Sequence, residues 1–489
     1  MSYIEKQVTQ RLTKFVLGNV NSWLTIGQKE PKIANNTDRY LCVKPNSKLD
    51  AQRDYVLRTA EERGVKYIQL WFSDVLGIPK SFQITPAELE NALFDGMTFD
   101  GSAIDGFSRV QESDVLAMPD PQTFAILATD HSVARIFCDL DNLDGTPFEG
   151  CPRNVLRRSL EKAHQKGFSF FAAPELEYFY FQDCDPSHSP KPLDFGSYFE
   201  LTVADFTSKL RKETVLALEE SGIPVEYSQH EDAPSQHEID LRHTDALTMA
   251  DNILATRLII KEIASQRGVH ASFMPKPLAG VQGSGMHTHF SLFNNETNAF
   301  SDPYDPYSLS ETAKGFIAGI LKHAPEFTAI TNQWVNSYKR LVTGYEAPTY
   351  ISWARSNRSA LVRVPIAKGA NPDSTRIEYR APDAACNPYL TFSVILAAGL
   401  KGVEEKYQLP AEASENLYHM SLEELHQNNV TFLPGNLDEA ITIMEGSDLM
   451  RETLGSHVFE WFIRNKRDEW AAYKTHVSQF ELDRYLRTL

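Results

Sequence analysis

Three short segments of the chain alternate polar and apolar positions, and their polar positions carry ionisable groups. They are Glu175–Glu177, His287–Ser291 and Arg376–Arg380. Alternation with a period of two predicts β-strands whose side chains point to opposite faces. Burying charged groups on one face is costly unless they pair or bind ions. The pattern therefore indicates an enzyme site that handles metal ions and phosphate.

Hydrophobic periodicity and capping residues predict the elements around these segments. A helix begins at Ser47 and stops at Gly64, and Asn387-Pro388 opens a helix that ends around Lys401. A capping box of Ser308 and Glu311 predicts a helix that ends near His323. The other predicted elements are strands over 66–73, 124–128, 134–139 and 168–181, and a helix over 153–166.

This order of elements predicts an α+β protein with three parts. Residues 1–47 form an N-terminal extension, which we interpret as a loosely attached arm. Residues 48–152 form a small domain of one helix followed by strands, and residues 153–489 form a large domain of mixed helices and strands.

Composition narrows the class of protein. The chain has 489 residues and a formal net charge of −17, which argues against a general nucleic-acid binder. Its five cysteines form no CxxC pair, as is typical of reduced thiols in a cytoplasmic protein. The N-terminus lacks the apolar core of a secretory signal, and the apolar run 393–400 is too short to span a membrane. We expect a soluble cytoplasmic protein.

Carboxylates dominate the candidate site. Glu175 and Glu177 lie within a run rich in Phe and Tyr, which favours burial over an exposed strand edge. Two buried carboxylates on one face need cations, because they would otherwise take up protons. Glu231 and Glu238 bracket a turn that could bring further carboxylates to the same place; the alternative is a solvated acidic loop. We expect Asp232 and Asp240 to be solvated charges.

Histidines and arginines complete the pattern. His287, His289 and Ser291 share one strand face, and a set of carboxylates with one histidine suits Mg²⁺ or Mn²⁺ better than zinc. Arginine binds carboxylates and phosphates through two parallel hydrogen bonds. The chain has neither GxxxxGK[ST] nor GxGxxG, so arginines and metals would have to hold any nucleotide. The candidate cations are Lys339, Arg340, Arg355, Arg358, Arg363, Arg376 and Arg380.

Several motifs, in order along residues 48–489, resemble those of glutamine synthetase of the bacterial class I type. The resemblance implies an N-terminal β-grasp domain and a large catalytic α/β domain. The motifs are Phe99-Asp-Gly-Ser-Ala-Ile-Asp-Gly-Phe107, Pro174-Glu-Leu-Glu177, Met274-Pro-Lys-Pro277, Gly283-Ser-Gly-Met-His287, Asn336-Ser-Tyr-Lys-Arg-Leu-Val342, Gly344-Tyr-Glu-Ala-Pro348, Asn357-Arg-Ser359 and Arg376-Ile-Glu378.

The resemblance implies two metal sites and a set of substrate contacts. The ligands of the first metal would be Glu177, Glu231 and Glu238, and those of the second would be Glu175, His287 and Glu378. Glutamate would be held by Gln282, Gly283, Arg340, Arg380 and the flap residue Glu346. The phosphates would contact Arg358, Arg363 and Arg376, and the rest of ATP would contact Glu226, His289 and Ser291. Asp100, reaching in from a neighbouring subunit, would bind and deprotonate ammonium, and Arg109 matches an arginine linked to feedback inhibition in one subgroup.

The implied reaction is ATP-dependent ligation of ammonia to the γ-carboxylate of L-glutamate through γ-glutamyl phosphate, with two or more Mg²⁺ or Mn²⁺ ions. Asp100, Glu346 and Arg358 would be the catalytic residues. The implied assembly is a dodecamer of two hexameric rings with active sites between subunits, and neither nucleic acid nor a membrane is an expected partner.

Some positions depart from the family pattern. Gln282 stands where Asn is usual, Ala103 where Ser is usual and Thr343 where Pro is usual, and the loop 370–373 is slightly extended. Gln282 and Ala103 fall where glutamate and the nitrogen donor meet, so an alkylamine or polyamine is the alternative acceptor. A catalytically inactive regulator or structural paralogue is a third hypothesis, which the complete set of six metal ligands disfavours.

Overall fold

The computed structural model describes residues 47–102, 104, 106–107, 114–201, 206–345, 347–357, 359–366, 371–413, 417, 420, 422–427 and 430–489. The predictions for residues 1–46 and for Ala103, Arg109, Glu346 and Arg358 therefore lie outside the described residues. Residues Ala51–Leu489 form one compact unit. The predicted domain boundaries stay predictions.

The described strands, labelled in chain order, agree with the alternating apolar patterns to within a few residues. The strand predicted over 376–380 is shorter in the structure, because only its central three residues pair with neighbouring strands. The strands are β1 Tyr67–Ser73, β2 Pro79–Ile84, β3 Met97–Asp100, β4 Asp114–Pro119, β5 Ala125–Leu127, β6 Asp130–Asp141, β7 Ser169–Phe181, β8 Val225–His230, β9 Gln236–Leu241, β10 Thr244–Asp245, β11 His270–Ser272, β12 Met286–Asn294, β13 Thr297–Asn298, β14 Tyr350–Ala354, β15 Ala360–Arg363, β16 Ile377–Tyr379 and β17 Thr431–Phe432.

Capping residues fix several helix ends. Asn387 caps its helix as predicted, by accepting hydrogen bonds from the N–H groups of Tyr389 and Leu390. The capping box at Ser308 was wrong: Ser310 caps that helix, which continues to Thr331. The helices are Ser47–Glu62, Leu89–Asp95, Pro152–Gln165, Phe206–Glu220, Ala246–Gln266, Glu311–Thr331, Ser337–Arg340, Pro388–Glu404, Leu422–Gln427, Leu437–Glu445, Asp448–Leu454, Ser456–Lys474 and Gln479–Tyr485, with 3-10 turns at Pro86–Glu88, Pro121–Thr123 and Pro372–Ser374.

The strands form two sheets. The smaller has the order β2-β1-β6-β4-β3, with β5 beside β6, and β1 runs parallel to β6. The larger has the order β17-β14-β15-β16-β12-β7-β9-β8, with β10 and β11 beside β7 and β13 beside β12. Strands β7, β9 and β12 are antiparallel neighbours in its middle, so their facing side chains are brought together.

Close helix packing supports the larger sheet. The helices Glu311–Thr331 and Pro388–Glu404 meet at glycines: a Cβ on Gly319 would lie 2.2 Å from the carbonyl oxygen of Ala398. A Cβ on Gly402 would lie 2.1 Å from the carbonyl oxygen of Gly315. Only glycine permits this approach, because any side chain would force the helices apart. The helix pair and the sheet share one large buried apolar core.

Candidate active site

Strand register brings the ionisable groups of the larger sheet into rows. Glu175 of β7 lies opposite His287 of β12 and opposite Asp240 of β9. Glu177, two residues further along β7, lies opposite Glu238 of β9. The intervening side chain of Leu176 points into the apolar core. The predicted two-face pattern of β7 therefore has a physical basis: one face packs the core and the other carries carboxylates.

Glu175 is held by both predicted histidines. Its carboxylate oxygens lie 3.2 Å from Nδ1 of His287 and 2.8 Å from Nε2 of His289. Burial alone raises the pKa of Glu175, but the hydrogen bonds from the two imidazoles outweigh burial and hold the pKa well below its usual range. Glu175 therefore carries a negative charge at this point of the sheet.

Glu378 is fully buried on β16 between two arginines. It accepts a hydrogen bond of 2.7 Å from Nη1 of Arg380 and another from Nε of Arg363. Burial raises the pKa of Glu378, but the positive charge of Arg380 is the first of several effects that lower it below its ordinary value. Arg376 precedes the strand and donates from Nε to Nδ1 of His289, at 3.3 Å.

The hairpin of β8 and β9 brings Glu231 and Glu238 together, which is one of the two alternatives that the turn between them left open. Nε2 of Gln229 lies 2.9 Å from Glu231 and 3.1 Å from Glu238, so this amide bridges the two carboxylates. Nε2 of Gln236 donates to Glu177 at 3.0 Å. Side-chain amides, which carry no charge, thus hold three carboxylates of this part of the sheet.

The crowding of carboxylates raises proton affinity on β9. Burial, and then the neighbouring charges of Asp240 and Glu177, raise the pKa of Glu238 well above its usual range. Burial and the charge of Glu175 raise the pKa of Asp240 to about 8. The prediction that Asp240 is a solvated charge was wrong, because its place opposite Glu175 leaves it only 5% exposed. Asp232 is exposed, in agreement with the predicted solvated charge, and accepts a hydrogen bond of 2.6 Å from Gln282.

Glycines let the backbone approach Arg340. A Cβ on Gly283 would lie 2.2 Å from the carbonyl oxygen of Pro275, and one on Gly285 would lie 2.5 Å from Nη2 of Arg340. The N–H of Gly285 also donates to Glu177 at 2.8 Å. Arg340 is buried and donates to the carbonyl of Ala381 at 2.7 Å, which fixes its guanidinium beside the carboxylates.

These groups surround one polar cavity of about 170 Å³. Many of the sequence-predicted residues line it, together with side chains that were not predicted. The predicted lining residues are Glu175, Glu177, Glu231, Glu238, Gln282, Gly283, His287, Arg340, Arg363 and Arg380; the unpredicted ones are Tyr198, Tyr227, Gln229, Gln236 and Tyr345.

The remaining predicted residues lie elsewhere. Glu378 and His289 contact lining residues without lining the cavity themselves. Asp100 is exposed at the end of β3, where it accepts a hydrogen bond of 2.8 Å from the N–H of Ser102. Within the part of the chain that the structure describes, the lining of the cavity does not include Asp100, Glu226, Ser291 or Arg376.

A signal in the sequence could have found some of the missed residues. Gln236 and Asp240 flank Glu238 with a period of two on β9, and Tyr227 and Gln229 precede Glu231 with the same period. Extending the alternation rule to this hairpin predicts all four. Tyr198 and Tyr345 lie in irregular segments, where no periodicity exists to mark them.

The cavity suits divalent cations on the chemistry of its donors. The ligand atoms of Glu175, His287 and Glu378 all lie within 4.8 Å of one another. A set of carboxylate oxygens with one imidazole is typical of Mg²⁺ or Mn²⁺ sites. The raised proton affinity of Glu238 and Asp240 agrees with this, because a cation would replace the protons that the crowded carboxylates otherwise attract.

The orphaned donor of Arg380 fits an anionic ligand. Among the described residues, its Nε is buried and has no hydrogen-bond partner, although Nη1 is bound to Glu378. An unpartnered charged donor is costly to bury, so a carboxylate or phosphate oxygen in the cavity would satisfy it.

None of the described helices is long and apolar enough to cross a bilayer.

Residues 149–485 match the family model of the glutamine synthetase catalytic domain, and residues 64–142 match that of the glutamine synthetase β-grasp domain.

Relatives of known name agree with these matches. A glutamine synthetase of Mycolicibacterium smegmatis is 52% identical over 444 residues, which cover 90% of this chain and all of the relative. The solved structure of a GmaS/ADP complex has a TM-score of 0.80 and 30% identity, over 88% of this chain and 99% of that one. The cryoEM structure of Plasmodium falciparum glutamine synthetase has a TM-score of 0.80 and 26% identity, over 89% of this chain and 98% of that one.

The predicted resemblance, the fold class of a β-grasp domain followed by a catalytic domain, and the predicted enzyme class are confirmed. The chain belongs to the glutamine synthetase family of glutamate–ammonia ligases.

Proposed function

We propose that the protein joins ammonia to the γ-carboxylate of L-glutamate with ATP, through γ-glutamyl phosphate, and releases L-glutamine, ADP and phosphate. One observation carries the proposal: the ligand atoms of Glu175, His287 and Glu378 cluster within 4.8 Å beside a cavity that Arg340 and Arg380 line. Such a site can hold cations and an anionic substrate at once. The solved relative GmaS forms a complex with ADP, which supports a nucleotide as the second substrate.

Two groups of side chains would hold the divalent cations. Glu177, Glu231 and Glu238 would bind one ion, and Glu175, His287 and Glu378 would bind the other. When bound, Mg²⁺ or Mn²⁺ neutralises negative charge on the phosphate oxygens during phosphoryl transfer. The amides of Gln229 and Gln236 keep three of the carboxylates aimed at the cavity.

Arginines would hold the anionic ends of the substrates. Arg340 and the orphaned Nε of Arg380 would bind the glutamate carboxylate, beside Gln282 and Gly283. Arg363, Arg376 and Arg358 would contact the phosphates, and Glu226, His289 and Ser291 would contact the rest of ATP. Arg363 uses its Nε for Glu378, which leaves its terminal amino groups to serve a phosphate oxygen.

The reaction then has two displacements. The γ-carboxylate oxygen of glutamate attacks the γ-phosphorus of ATP, and the bond to the leaving ADP oxygen breaks. Ammonia attacks the γ-carbon of γ-glutamyl phosphate, and phosphate leaves with the electrons of the C–O bond. Asp100 of a neighbouring subunit would accept the proton that ammonium releases, and Glu346 would exclude water from the acyl phosphate. A dodecameric assembly and a cytoplasmic location stay predictions.

Glutamate-dependent release of ADP tests the proposal. We expect turnover with ammonium, and loss of most of it in Glu378→Gln and in Glu346→Ala. Glu213→Gln is the matched control, since Glu213 is half-exposed, pairs with Arg267 and does not line the cavity. Unchanged turnover in Glu346→Ala would contradict the catalytic assignment, and a lack of turnover with every acceptor and nucleotide would support the inactive paralogue.

A second candidate replaces ammonia with an alkylamine or polyamine. The observation that favours it is the contact of 2.6 Å between Gln282, which lines the cavity, and the exposed carboxylate of Asp232 beside the cavity. A carboxylate there could attract a cationic amine. A panel of ammonium, methylamine and a diamine decides: an amine that is used while ammonium is not would overturn the choice of ammonia.

A further inference from the structure

Asp194 forms the centre of a hydrogen-bonded cluster beside the cavity. Its Oδ1 accepts from Nε2 of His230 at 2.7 Å and from the N–H groups of Ser235 at 3.0 Å and Gly196 at 3.1 Å. Its Oδ2 accepts from Oγ1 of Thr207 at 2.6 Å. Both carboxylate oxygens are therefore occupied, although the proposed reaction gives this residue no contact with a substrate.

The cluster joins a loop to the hairpin of β8 and β9. The N–H groups of Leu193 and Asp194 donate to Oγ of Ser235, at 2.6 and 2.8 Å, and the N–H of Phe199 donates to the carbonyl of His230 at 3.1 Å. A Cβ on Gly196 would lie 2.7 Å from Nε2 of His230, so the glycine lets the loop lie flat on the imidazole. The loop 193–199 is thus fixed to both ends of the hairpin turn.

Each histidine of the cluster precedes a carboxylate of the cavity. His230 is followed by Glu231, and His237, whose Nε2 lies 3.6 Å from Oδ2 of Asp194, is followed by Glu238. The loop itself carries Tyr198, which lines the cavity. We propose that Asp194 is a positioning residue: through His230, His237 and Ser235 it holds Glu231, Glu238 and Tyr198 in the wall of the cavity. This inference rests on the proposed function.

Proton positions distinguish this role from a metal site. Nδ1 of His230 lies 2.5 Å from the carbonyl oxygen of Glu231, so it must donate. Nδ1 of His237 lies 2.6 Å from Nη1 of Arg211, which can only donate, so Nδ1 of His237 accepts and its Nε2 carries the proton. This Nε2 lies 3.6 Å from Oδ2 of Asp194, beyond hydrogen-bond distance, and among the described residues it has no hydrogen-bond partner; a metal ion at this point would need a free electron pair there in place of the proton.

The hydrogen bonds of His230 agree with this assignment. Donation from both ring nitrogens makes His230 an imidazolium, which pairs with the Asp194 carboxylate without a cation between them.

Binding of Mn²⁺ to the full-length protein, followed by electron paramagnetic resonance, tests the proposal without a measurement of activity. In Asp194→Asn we expect the same number of bound ions with affinity reduced about tenfold, as is typical when a partner of a metal ligand is changed. At saturating Mn²⁺ the activity should recover in larger part than at limiting Mn²⁺. Asp185→Asn is the matched control, since Asp185 lies on the same segment and is exposed.

Further variants separate the possible outcomes. Thr207→Val removes one hydrogen-bond donor to Asp194 without changing the charge, so it should reduce the affinity for Mn²⁺ by less. It replaces Asp194→Asn in the test if that variant fails to fold. If Glu231→Gln weakens Mn²⁺ binding and neither cluster variant does, the positioning role is wrong and the proposed function stands. If Glu231→Gln has no effect, the proposed metal site itself fails. Loss of one whole bound ion in Asp194→Asn would show that the cluster is a metal site and would overturn the inference.

Discussion

Two groups of carboxylates among the described residues differ in how their negative charge is compensated. In the first, which we call the arginine cluster, Arg153 contacts Asp120 at 2.9 Å, Asp139 at 2.5 Å and Asp251 at 2.8 Å. In the second, the cavity wall, Glu238 lies among Asp240, Glu177 and Glu231 and accepts a hydrogen bond from the amide of Gln229. Both places are formed by strands and helices of the same compact unit.

The difference lies in where the compensating charge comes from. Burial raises the pKa of Asp120, but Arg153 outweighs burial and the net pKa is lowered. At Glu238 burial and neighbouring carboxylates act in the same direction and raise the pKa. The carboxylates around Arg153 are neutralised by the chain itself and stabilise the fold, whereas Glu238 is left under-neutralised and is available for a ligand.

The largest effect on stability should come from removing Arg153. Arg153→Met leaves three carboxylates without their shared cation, so we expect the free energy of unfolding to fall by about 3–5 kcal/mol. Urea unfolding measures it. Arg157→Met is the control: Arg157 binds Asp120 and Asp139 too, but it is 40% exposed and should contribute roughly 1 kcal/mol or less. Equal losses in the two variants would contradict the expectation that burial makes Arg153 the more important cation of the cluster.

Neutralising a carboxylate of the cavity wall should change the free energy of unfolding in the opposite direction. Glu238→Gln removes a like charge, so the metal-free protein should be more stable by roughly 1–2 kcal/mol above neutral pH. The same variant should lose activity by about 100-fold or more, because a proposed metal ligand is gone. Urea unfolding with chelator and ADP release measure the two effects. If Glu238→Gln is instead less stable than the parent protein, positive groups of the chain itself compensate the charge of Glu238.

The hydroxyl of Tyr389 should have a smaller effect. It donates to Oδ1 of Asp251 at 2.6 Å inside the arginine cluster. Tyr389→Phe removes one hydrogen bond to a buried charged group, so we expect a loss of about 1–2 kcal/mol in urea unfolding. Tyr304→Phe should have no effect, since Tyr304 is 95% exposed. A loss as large as that of Arg153→Met would show that the cluster depends on the hydroxyl as much as on the cation.

The sequence could predict the carboxylates of β7 and the histidines of β12, because strict alternation within an apolar run has one physical interpretation. Alternation along β9 places Asp240 on the same face as Glu238, but it does not show whether that face is buried or solvated. Burial followed from register: Asp240 lies opposite Glu175, and pairing between strands depends on contacts far apart in the chain.

Asp194 is still harder to predict from the sequence, because its contacts also join residues far apart in the chain. Its partner Ser235 lies 41 residues away, and its own segment is irregular. Periodicity carries no information on a loop that is shaped by hydrogen bonds to side chains. The family resemblance, by contrast, assigned a role to Asp100 that neither alternation nor the described lining of the cavity indicates.

The smallest expected effect is on the pH dependence of stability. It distinguishes a carboxylate whose pKa is raised from one whose pKa is lowered, both at the end of β6. Burial, then the charge of Asp139, raises the pKa of half-buried Asp141 to about 6, above its ordinary 3.8. Between these values the folded state binds more protons than the unfolded state, so stability falls as pH rises from about 4 to about 6. Asp141→Asn should flatten this slope by roughly 0.5 kcal/mol or less, because solvent screens the group.

Asp144 in the adjoining turn provides the contrasting variant. Hydrogen bonds from the hydroxyl and the N–H of Thr146 lower the pKa of Asp144, so its contribution to stability is present above its ordinary pKa and is lost as pH falls. Asp144→Asn should therefore change the slope in the opposite direction to Asp141→Asn. Urea unfolding at pH 3, 4, 5 and 6 compares them, because the contribution of Asp141 changes between about pH 4 and 6 and that of Asp144 changes below about pH 4. Slopes that change in the same direction would mean that the sign of the pKa shift does not follow from the local partner, in the turn or in the cavity.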